Sequence, residues 1–516
     1  MWLSSPSRYD RRQGTVTCMP HLMSRRIWVL SAAVVLGIAL SPVEAVAHSA
    51  EPVVSGHCAR IGQLRVPGAA HQKVSCLAGL TTVSTEKSGH TNPEDYVGLT
   101  AADMPRPAGV PGIQIDGYFP DDSRSNTNHG WNHDAQFVLR LPDRWNGGLV
   151  VSGTPGNRRQ YANDRAIADQ VLAMGYAFAA TDKGNTGVAF YHGQRYPGEA
   201  IAEWHQRLTE LTVAAKHVVR QRYGRPPSTT LAAGISNGGY LVRWQLENRP
   251  SLYDGGVDWE GTLWTTNGPN LFTFLPVALR NYPAYAEGGE EAEAARQRML
   301  DAGFAPGSEF LWDYHYRVYW DLTQRIYREA LDPSYDGPLD AGVPFCRSGT
   351  PACDADYDYA SRPQAQRAVR RIALTGRIGK PLITLHGTLD TLLPIGVDSD
   401  VYAGHGAQGR PGCAAHLLAC RGRQPHRRVG RRVSRQAHRH RAVLRRGRPI
   451  AHRAAGDRGQ CPNHPMNAAG ADASSAKRTN RPARPMPMNS DMRILANPLS
   501  TTSAMYGGMP MTELTP

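Results

Sequence analysis

Between residues 149 and 257, short apolar runs and longer amphipathic stretches take turns at the spacing of βαβ units. No other feature of the chain narrows its fold as much. Residues 149–153 form a brief apolar strand that enters a Gly-rich loop, and residues 162–174 read as a helix closed by Gly175. A strand at 176–181 ends on Asp182, and a long helix at 203–222 is stopped by Gly224 and the Pro226-Pro227 pair. Strand 229–233, helix 240–247 and a strand beginning at 255–257 follow, and strand 381–385 resumes the pattern much later. Upstream, residues 113–119 and 136–141 read as half-buried strands. Strands that return in the same direction through helices make a mostly parallel sheet with helices on both faces, an α/β architecture.

The rest of the chain divides around that core. Residues 1–47 carry a leader, 48–110 an N-terminal extension packed on the domain, and 111–260 and 365–403 the two parts of the core. Residues 261–364 break the alternation. They are rich in Trp, Tyr and Phe, hold a helical stretch near 290–301, and are expected to form an inserted cap over the carboxyl end of the sheet. The net charge of +14 invites a nucleic-acid partner, but its distribution argues against one. From Gly404 to Gln460 there are fifteen Arg, no Lys and one acid, Asp457, so this stretch carries the whole excess and the globular part is neutral.

Arg25 and Arg26 precede an uncharged apolar run at 27–40 that ends in Ala45-Val46-Ala47, the pattern of an export signal cleaved before His48. Ser24-Arg25-Arg26-Ile27-Trp28 resembles a twin-arginine motif, and Met23 is the expected start. The run falls short of the roughly 20 apolar residues of a membrane span, so secretion without a stable span is expected. Cysteine usage agrees with export. Cys58 with Cys76, and Cys346 with Cys353, would each close a small loop in an oxidising compartment. No CxxC pair suggests a metal site, and neither metal nor cofactor is expected.

Chemistry concentrates at Gly234-Ile235-Ser236-Asn237-Gly238, which matches Gly-x-Ser-x-Gly with a strand before and a helix after. Such a turn lifts the serine hydroxyl clear of the sheet, above a helix N-terminus that favours negative charge. A Gly-rich βα turn with an incidental serine would look the same. Two backbone donors are needed for an oxyanion: Asn237 follows the serine, and Thr154 in Gly153-Thr154-Pro155-Gly156 is the choice for the other, because Pro155 has no amide hydrogen. That loop reads equally as a plain tight turn. Asp390, in His386-Gly387-Thr388-Leu389-Asp390, follows a late buried strand and has the place of an acid that orients a histidine. Asp258 and Asp182 also end strands and stand as fallbacks, each readable as a helix cap or surface turn.

Over residues 112–403 these features resemble the α/β-hydrolase superfamily. More narrowly, Trp145-Asn146-Gly147, Ala180-Thr181-Asp182-Lys183-Gly184 and Gly234-Ile235-Ser236-Asn237-Gly238-Gly239 are similar to 3-hydroxybutyrate oligomer hydrolases and to the tannase and feruloyl esterase group. Tannase-like enzymes carry a Cys beside the elbow where this chain has Ile235, which favours the hydroxybutyrate type. The resemblance implies a secreted serine esterase acting on a small or oligomeric ester, such as short 3-hydroxyalkanoates. Feruloyl or tannic esters, and a non-catalytic binding protein on the same fold, are the alternatives.

The histidine such a site needs is not legible. After Gly404, Tyr, Phe and Trp vanish until Tyr506, and no apolar period survives. Text of this kind is what a GC-rich gene yields when read out of frame, so a frameshift shortly after Tyr402 is the preferred account. A genuine basic tail for nucleic acid or anionic surfaces is the rival. His405, His416, His426, His438 and His440 all lie in range, but none has a believable strand before it, and none is assigned. Residues 404–516 are expected to be an aberrant, disordered tail, with the sheet ending near Tyr402 and its apolar edge left open.

Overall fold

The computed structural model describes residue 58 and residues 61–100, 104–120, 135–335, 354–409 and 415–420. Nine strands are present among them: β1 (His71–Leu77), β2 (Gly112–Tyr118), β3 (Gln136–Pro142), β4 (Gly148–Gly153), β5 (Ala177–Thr181), β6 (Thr229–Ile235), β7 (Gly255–Trp259), β8 (Leu382–Gly387) and β9 (Ala415–Cys420). They form one sheet in the order β1-β2-β3-β5-β4-β6-β7-β8-β9. Pairing is antiparallel from β1 to β5 across β2 and β3, and parallel from β5 onward.

The central strands are apolar on both sides because both sides are covered. Leu149 and Val151 of β4 pack into one core with Trp204, Leu208 and Leu241, while Val150 between them enters a second core with Ile167, Val171 and Leu172. The helices in chain order are α1 (Thr82–Ser88), α2 (Asp169–Ala173), α3 (Glu199–Tyr223) and α4 (Asn237–Asn248). The first core takes α3 and α4, the second takes α2. Where the sequence suggests one helix over 162–174, a π-helical turn at Asp164–Ala168 leads into the short α2. Asp164 is turned inward there and meets the buried guanidinium of Arg140 at 2.6 and 2.7 Å. A π-turn of this kind commonly marks a side chain drawn off the regular helical path.

The segment between β7 and β8 is helical, with α5 (Leu271–Glu287), α6 (Glu290–Asp301), α7 (Trp312–His315), a π-helical turn at Tyr316–Trp320, α8 (Asp321–Leu331) and α9 (Pro363–Arg370). Its aromatic richness is spent on packing: Phe304, Trp312 and Trp320 meet edge to face, and all three are buried.

Two expectations change. The N-terminal extension contributes an edge strand, β1, which no alternation betrays because it reads His-Gln-Lys-Val-Ser-Cys-Leu and is mostly half-exposed. Edge strands are commonly polar for this reason. A disulfide joins Cys76 on β1 to Cys58. Residues 1–57 and the Cys346–Cys353 pair lie outside the described residues. The sheet also does not stop near Tyr402. Helix α10 (Ser399–Gly409) crosses the boundary drawn at 404, and β9 then pairs in parallel with β8, Gly387 opposite Cys420. Ala-His-Leu-Leu-Ala-Cys is a short apolar run that the surrounding arginines obscure. Among the described residues no helix is long and apolar enough to cross a membrane.

Candidate active site

Strand β6 turns into α4 at Ser236, which has φ 54° and ψ −118°. A side chain with positive φ is strained, and the strain is tolerated only where the surroundings hold it. Two glycines make the turn sterically feasible. A Cβ at Gly234 would lie 2.4 Å from the Gly238 carbonyl carbon, and one at Gly238 would lie 2.2 Å from the Gly153 carbonyl oxygen. The Ser236 N–H donates to Trp259 O at 2.9 Å, and its own carbonyl accepts from Tyr240 N at 2.9 Å and Thr262 N at 3.3 Å. The backbone is thus clamped by β7 and α4, while the side chain is half-exposed and, among the described residues, its hydroxyl forms no hydrogen bond.

Gly238 presses α4 against the end of β4, which brings the loop after β4 beside the turn. Thr154 there is buried, its hydroxyl donating to Arg158 O at 2.8 Å and accepting from Lys183 Nζ at 2.7 Å. Asn237 opens α4, where the backbone N–H groups have no partner within the helix. Its side chain donates to Gly156 O at 3.1 Å and to the Tyr327 hydroxyl, and accepts from Thr262 Oγ1 at 3.2 Å. Ser236, Asn237 and Thr154 therefore gather at one end of the sheet. The bond from Asn237 to Tyr327 brings α8, from the helical segment between β7 and β8, against them, and Trp320 Nε1 donates to Thr391 O at 2.7 Å.

Because the packing at Gly238 leaves no room, Gly238→Ala should push the β4 loop away from the turn. We expect a stability loss of about 1–3 kcal/mol by urea unfolding, and a fall of roughly 100-fold in reaction at Ser236, since a shift of about 1 Å suffices for that. Unchanged esterase activity would show that the loop plays no part.

Asp390 lies in the turn after β8. Its Oδ1 accepts from Leu392 N at 2.8 Å and Leu393 N at 3.0 Å, and its own N–H donates to Gly387 O at 3.2 Å. Burial raises its carboxyl well above the ordinary range. The two fallback acids are engaged elsewhere. Asp182 caps its own turn, accepting from Gly184 N at 2.8 Å and Gln136 N at 3.1 Å. Asp258 meets Arg243 Nε at 2.6 Å, and the same guanidinium reaches Asp398 at 2.8 Å and Ser399 Oγ at 2.7 Å, all buried.

One further carboxyl has no signal in the sequence. Glu260, directly after β7 and at φ 50°, is buried and accepts from Gly387 N at 3.0 Å. It is two residues beyond Asp258, and no motif flags it.

Two histidines are engaged elsewhere. His386 is 3.8 Å from Asp390 Oδ2, but Nδ1 meets Ser399 Oγ at 2.6 Å and Nε2 meets Leu393 O at 2.7 Å. Burial lowers its pKa to about 4, so it is a neutral, saturated structural residue. His405 is at the wrong end: it packs on Gly376, beside the contact of Gly376 N with Glu247 near the end of α4. His416 sits within β9, paired with Ile383. His426, His438 and His440 are outside the described residues. The chain leaving β9, however, emerges opposite Gly387, at the same sheet edge as Asp390 and Ser236.

No group of three or more His, Cys, Asp or Glu among the described residues could hold a metal. Two clefts, of about 580 and 540 Å³, lie along α5, lined among others by Thr273, Val277 and Arg280. Neither includes Ser236, Asn237, Thr154 or Asp390.

A strand–serine–helix turn in a mostly parallel sheet covered on both faces, with a helical insertion before its last strands, defines an α/β hydrolase. Residues 123–265, which contain the turn, match the family model of tannase and feruloyl esterase, and the chain is a carboxylic ester hydrolase of the serine type. The match falls on the second of the two resemblances; the hydroxybutyrate resemblance, favoured by Ile235, rests on the residues alone. A comparison with curated proteins finds no match. Among solved structures the chain is similar to feruloyl esterase B from Aspergillus oryzae, at 13% identity and a TM-score of 0.45 over 70% of this chain and 80% of that one. Tannin acyl hydrolase from Aspergillus niger is similar at 13% identity and a TM-score of 0.36, over 67% of this chain and 75% of that one. The rice cell wall degrading esterase LipA from Xanthomonas oryzae is similar at 14% identity and a TM-score of 0.36, over 68% and 90%.

Proposed function

We propose that this chain is an exported esterase that works through an acyl-enzyme on Ser236. The observation that carries the reading is the conformation of Ser236: a strained, clamped backbone with an unengaged hydroxyl at the start of α4. In this reading the hydroxyl attacks the ester carbonyl, and the Asn237 and Thr154 amides take the negative charge that develops on the carbonyl oxygen. Asp390 orients the histidine that removes the serine proton and later returns it to the leaving alcohol. That histidine comes from the chain after β9, in whichever frame the gene encodes there. The leader pattern and the Cys58–Cys76 disulfide support export.

The substrate we infer is an ester of a hydroxylated aromatic acid. The family match supports this reading, and the segment beside the elbow is aromatic: Tyr327 bonds Asn237 and packs in a buried cluster with Phe190 and Trp264. Short 3-hydroxyalkanoate esters are the second reading, favoured by Ile235.

The test is labelling of the full chain by a fluorophosphonate probe, with Ser236→Ala as control, followed by p-nitrophenyl, methyl ferulate, methyl gallate and 3-hydroxybutyrate oligomer substrates. Labelling lost in the variant, with faster turnover of the aromatic esters, is the expected result. Absence of labelling in a chain whose gene has been resequenced between Asp390 and Cys461 would favour a binding protein on a hydrolase fold.

A further inference from the structure

Among the described residues, four buried carboxyl groups crowd the ends of β7 and β8, and one cation is buried with them. Asp258 at the end of β7 and Asp398 just before α10 share that cation, Arg243 of α4, at 2.6 and 2.8 Å. Each of its three nitrogens is engaged, the third by Ser399. The other two, Glu260 and Asp390, have no cationic partner among the described residues. Their partners are neutral: the Gly387 amide and the Trp259 side chain for Glu260, the Leu392 and Leu393 amides for Asp390. The imidazole that approaches Asp390, His386, is held neutral by burial.

Both residues are also tied to Gly387, Glu260 through its carboxyl and Asp390 through its backbone. Gly387 N–H donates to Glu260 Oε1 at 3.0 Å, and Gly387 C=O accepts from Asp390 N–H at 3.2 Å. A Cβ at Gly387 would lie 3.1 Å from Glu260 Oε1, so the side chain lies directly on the turn. Glu260 is equally close to the serine in the chain: Trp259 before it accepts from Ser236 N–H, and Thr262 after it donates to Ser236 O. Two buried acids with no cation between them cannot both ionise at modest cost.

We propose that Glu260 is a positioning residue of the esterase site, which acts with Asp390 across the Gly387 turn as one acid holding a single proton in common. Glu260 thereby sets the charge that Asp390 presents to the catalytic base, and it anchors the turn from which Asp390 projects. Burial raises both groups well above ordinary carboxylates, and a neighbouring like charge adds to it, that of Asp390 on Glu260 and that of Asp398 on Asp390. The catalytic consequence rests on reading Asp390 as the triad acid; the shared proton does not. The charged and titratable groups around the pair are Asp258 on β7, Arg243 on α4, His386 on β8 and Asp398 before α10.

Because both groups bind their protons more tightly in the folded chain than in the unfolded one, folding is favoured while the pair is protonated. Stability then drains away as the pH rises through the range in which the shared proton leaves. The experiment follows thermal unfolding of the full chain from weakly acid to weakly alkaline pH, for the parent, Glu260→Gln, Asp390→Asn and the double variant. The glutamine keeps an oxygen for Gly387 N–H, so the fold is preserved. The parent should lose stability as pH rises, each single variant should flatten much of that loss, and the double variant should add little to either. Parallel curves for parent and Glu260→Gln, or additive effects in the double variant, would overturn the shared proton; if either single variant fails to fold, the other reports the same slope.

The positioning role is read from the pH profile of fluorophosphonate labelling. Glu260→Gln should move its acid limb down by about one pH unit or more, since Asp390 then ionises without a like charge beside it. An unmoved limb would overturn the role. If the parent is not labelled at all, the reading of Ser236 fails while the unfolding slopes still decide whether the two carboxyls share a proton.

Discussion

Ser236→Ala is expected to lower ester turnover on the order of a million-fold while leaving the protein folded. A serine and its base act as a unit, so removing the nucleophile forfeits what the whole assembly contributes and leaves only substrate binding and the oxyanion donors. Those alone give roughly 10³–10⁴ over water. Stability should scarcely change, because the half-exposed hydroxyl holds no hydrogen bond among the described residues and alanine keeps the same Cβ at the same strained φ. The measurement is p-nitrophenyl ester hydrolysis beside urea unfolding, on a chain whose reading frame after Tyr402 has been verified. The check on frame matters, since an uncharged serine hydroxyl is a poor nucleophile near neutral pH without a base. Turnover close to that of the parent would remove Ser236 from the chemistry.

The parts of this fold that show in the sequence are those where one residue type has one physical use. Gly234 and Gly238 flank the turn because backbone occupies the space a Cβ would need, and the βα alternation shows because both sheet faces are buried. Strand β1 does not show, since an edge strand half open to water needs no apolar period. Strand β9 is hidden by the company it keeps: six residues of strand-like text amid arginine carry less weight than the composition around them. The acids divide in the same way. Asp390 stands out in the sequence by its place after a late strand, whereas Glu260 and the Arg243 pairs are relations between β7, β8, α4 and the segment before α10. Arg243 and Asp398 are 155 residues apart in sequence, and nothing local announces a contact of that kind. Asp258 illustrates the cost of reading one residue at a time: it ends a strand as a catalytic acid would, but its use is to hold Arg243.

Arg243→Met is expected to be the most destabilising of the substitutions considered, at about 3–5 kcal/mol by urea unfolding, because it leaves buried acids without their counter-charge. The guanidinium is wholly buried, meets Asp258 and Asp398, donates to Ser399, and lies 4.6 Å from the Tyr402 ring. Methionine fills much of the volume, so the loss is electrostatic rather than a cavity. Asp398 would keep its acceptance from Leu263 N at 2.7 Å and Asp258 its bond from Thr384, but neither supplies a charge. The contrast is the exposed pair of Arg317 with Asp313 between β7 and β8, where both side chains are more than half open to water and removal should cost about 1 kcal/mol or less. Because the penalty comes from stranded charge, neutralising it should repay most of the loss: Arg243→Met combined with Asp258→Asn and Asp398→Asn should recover stability that the single variant forfeits. The same network joins α4, β7 and the start of α10 directly beneath the turns that carry Ser236 and Asp390. The single variant should therefore lose ester hydrolysis at temperatures where the chain is still folded, as those turns loosen. A loss below about 1 kcal/mol, or no recovery in the triple variant, would mean that water reaches these acids and that the site is held together by packing alone.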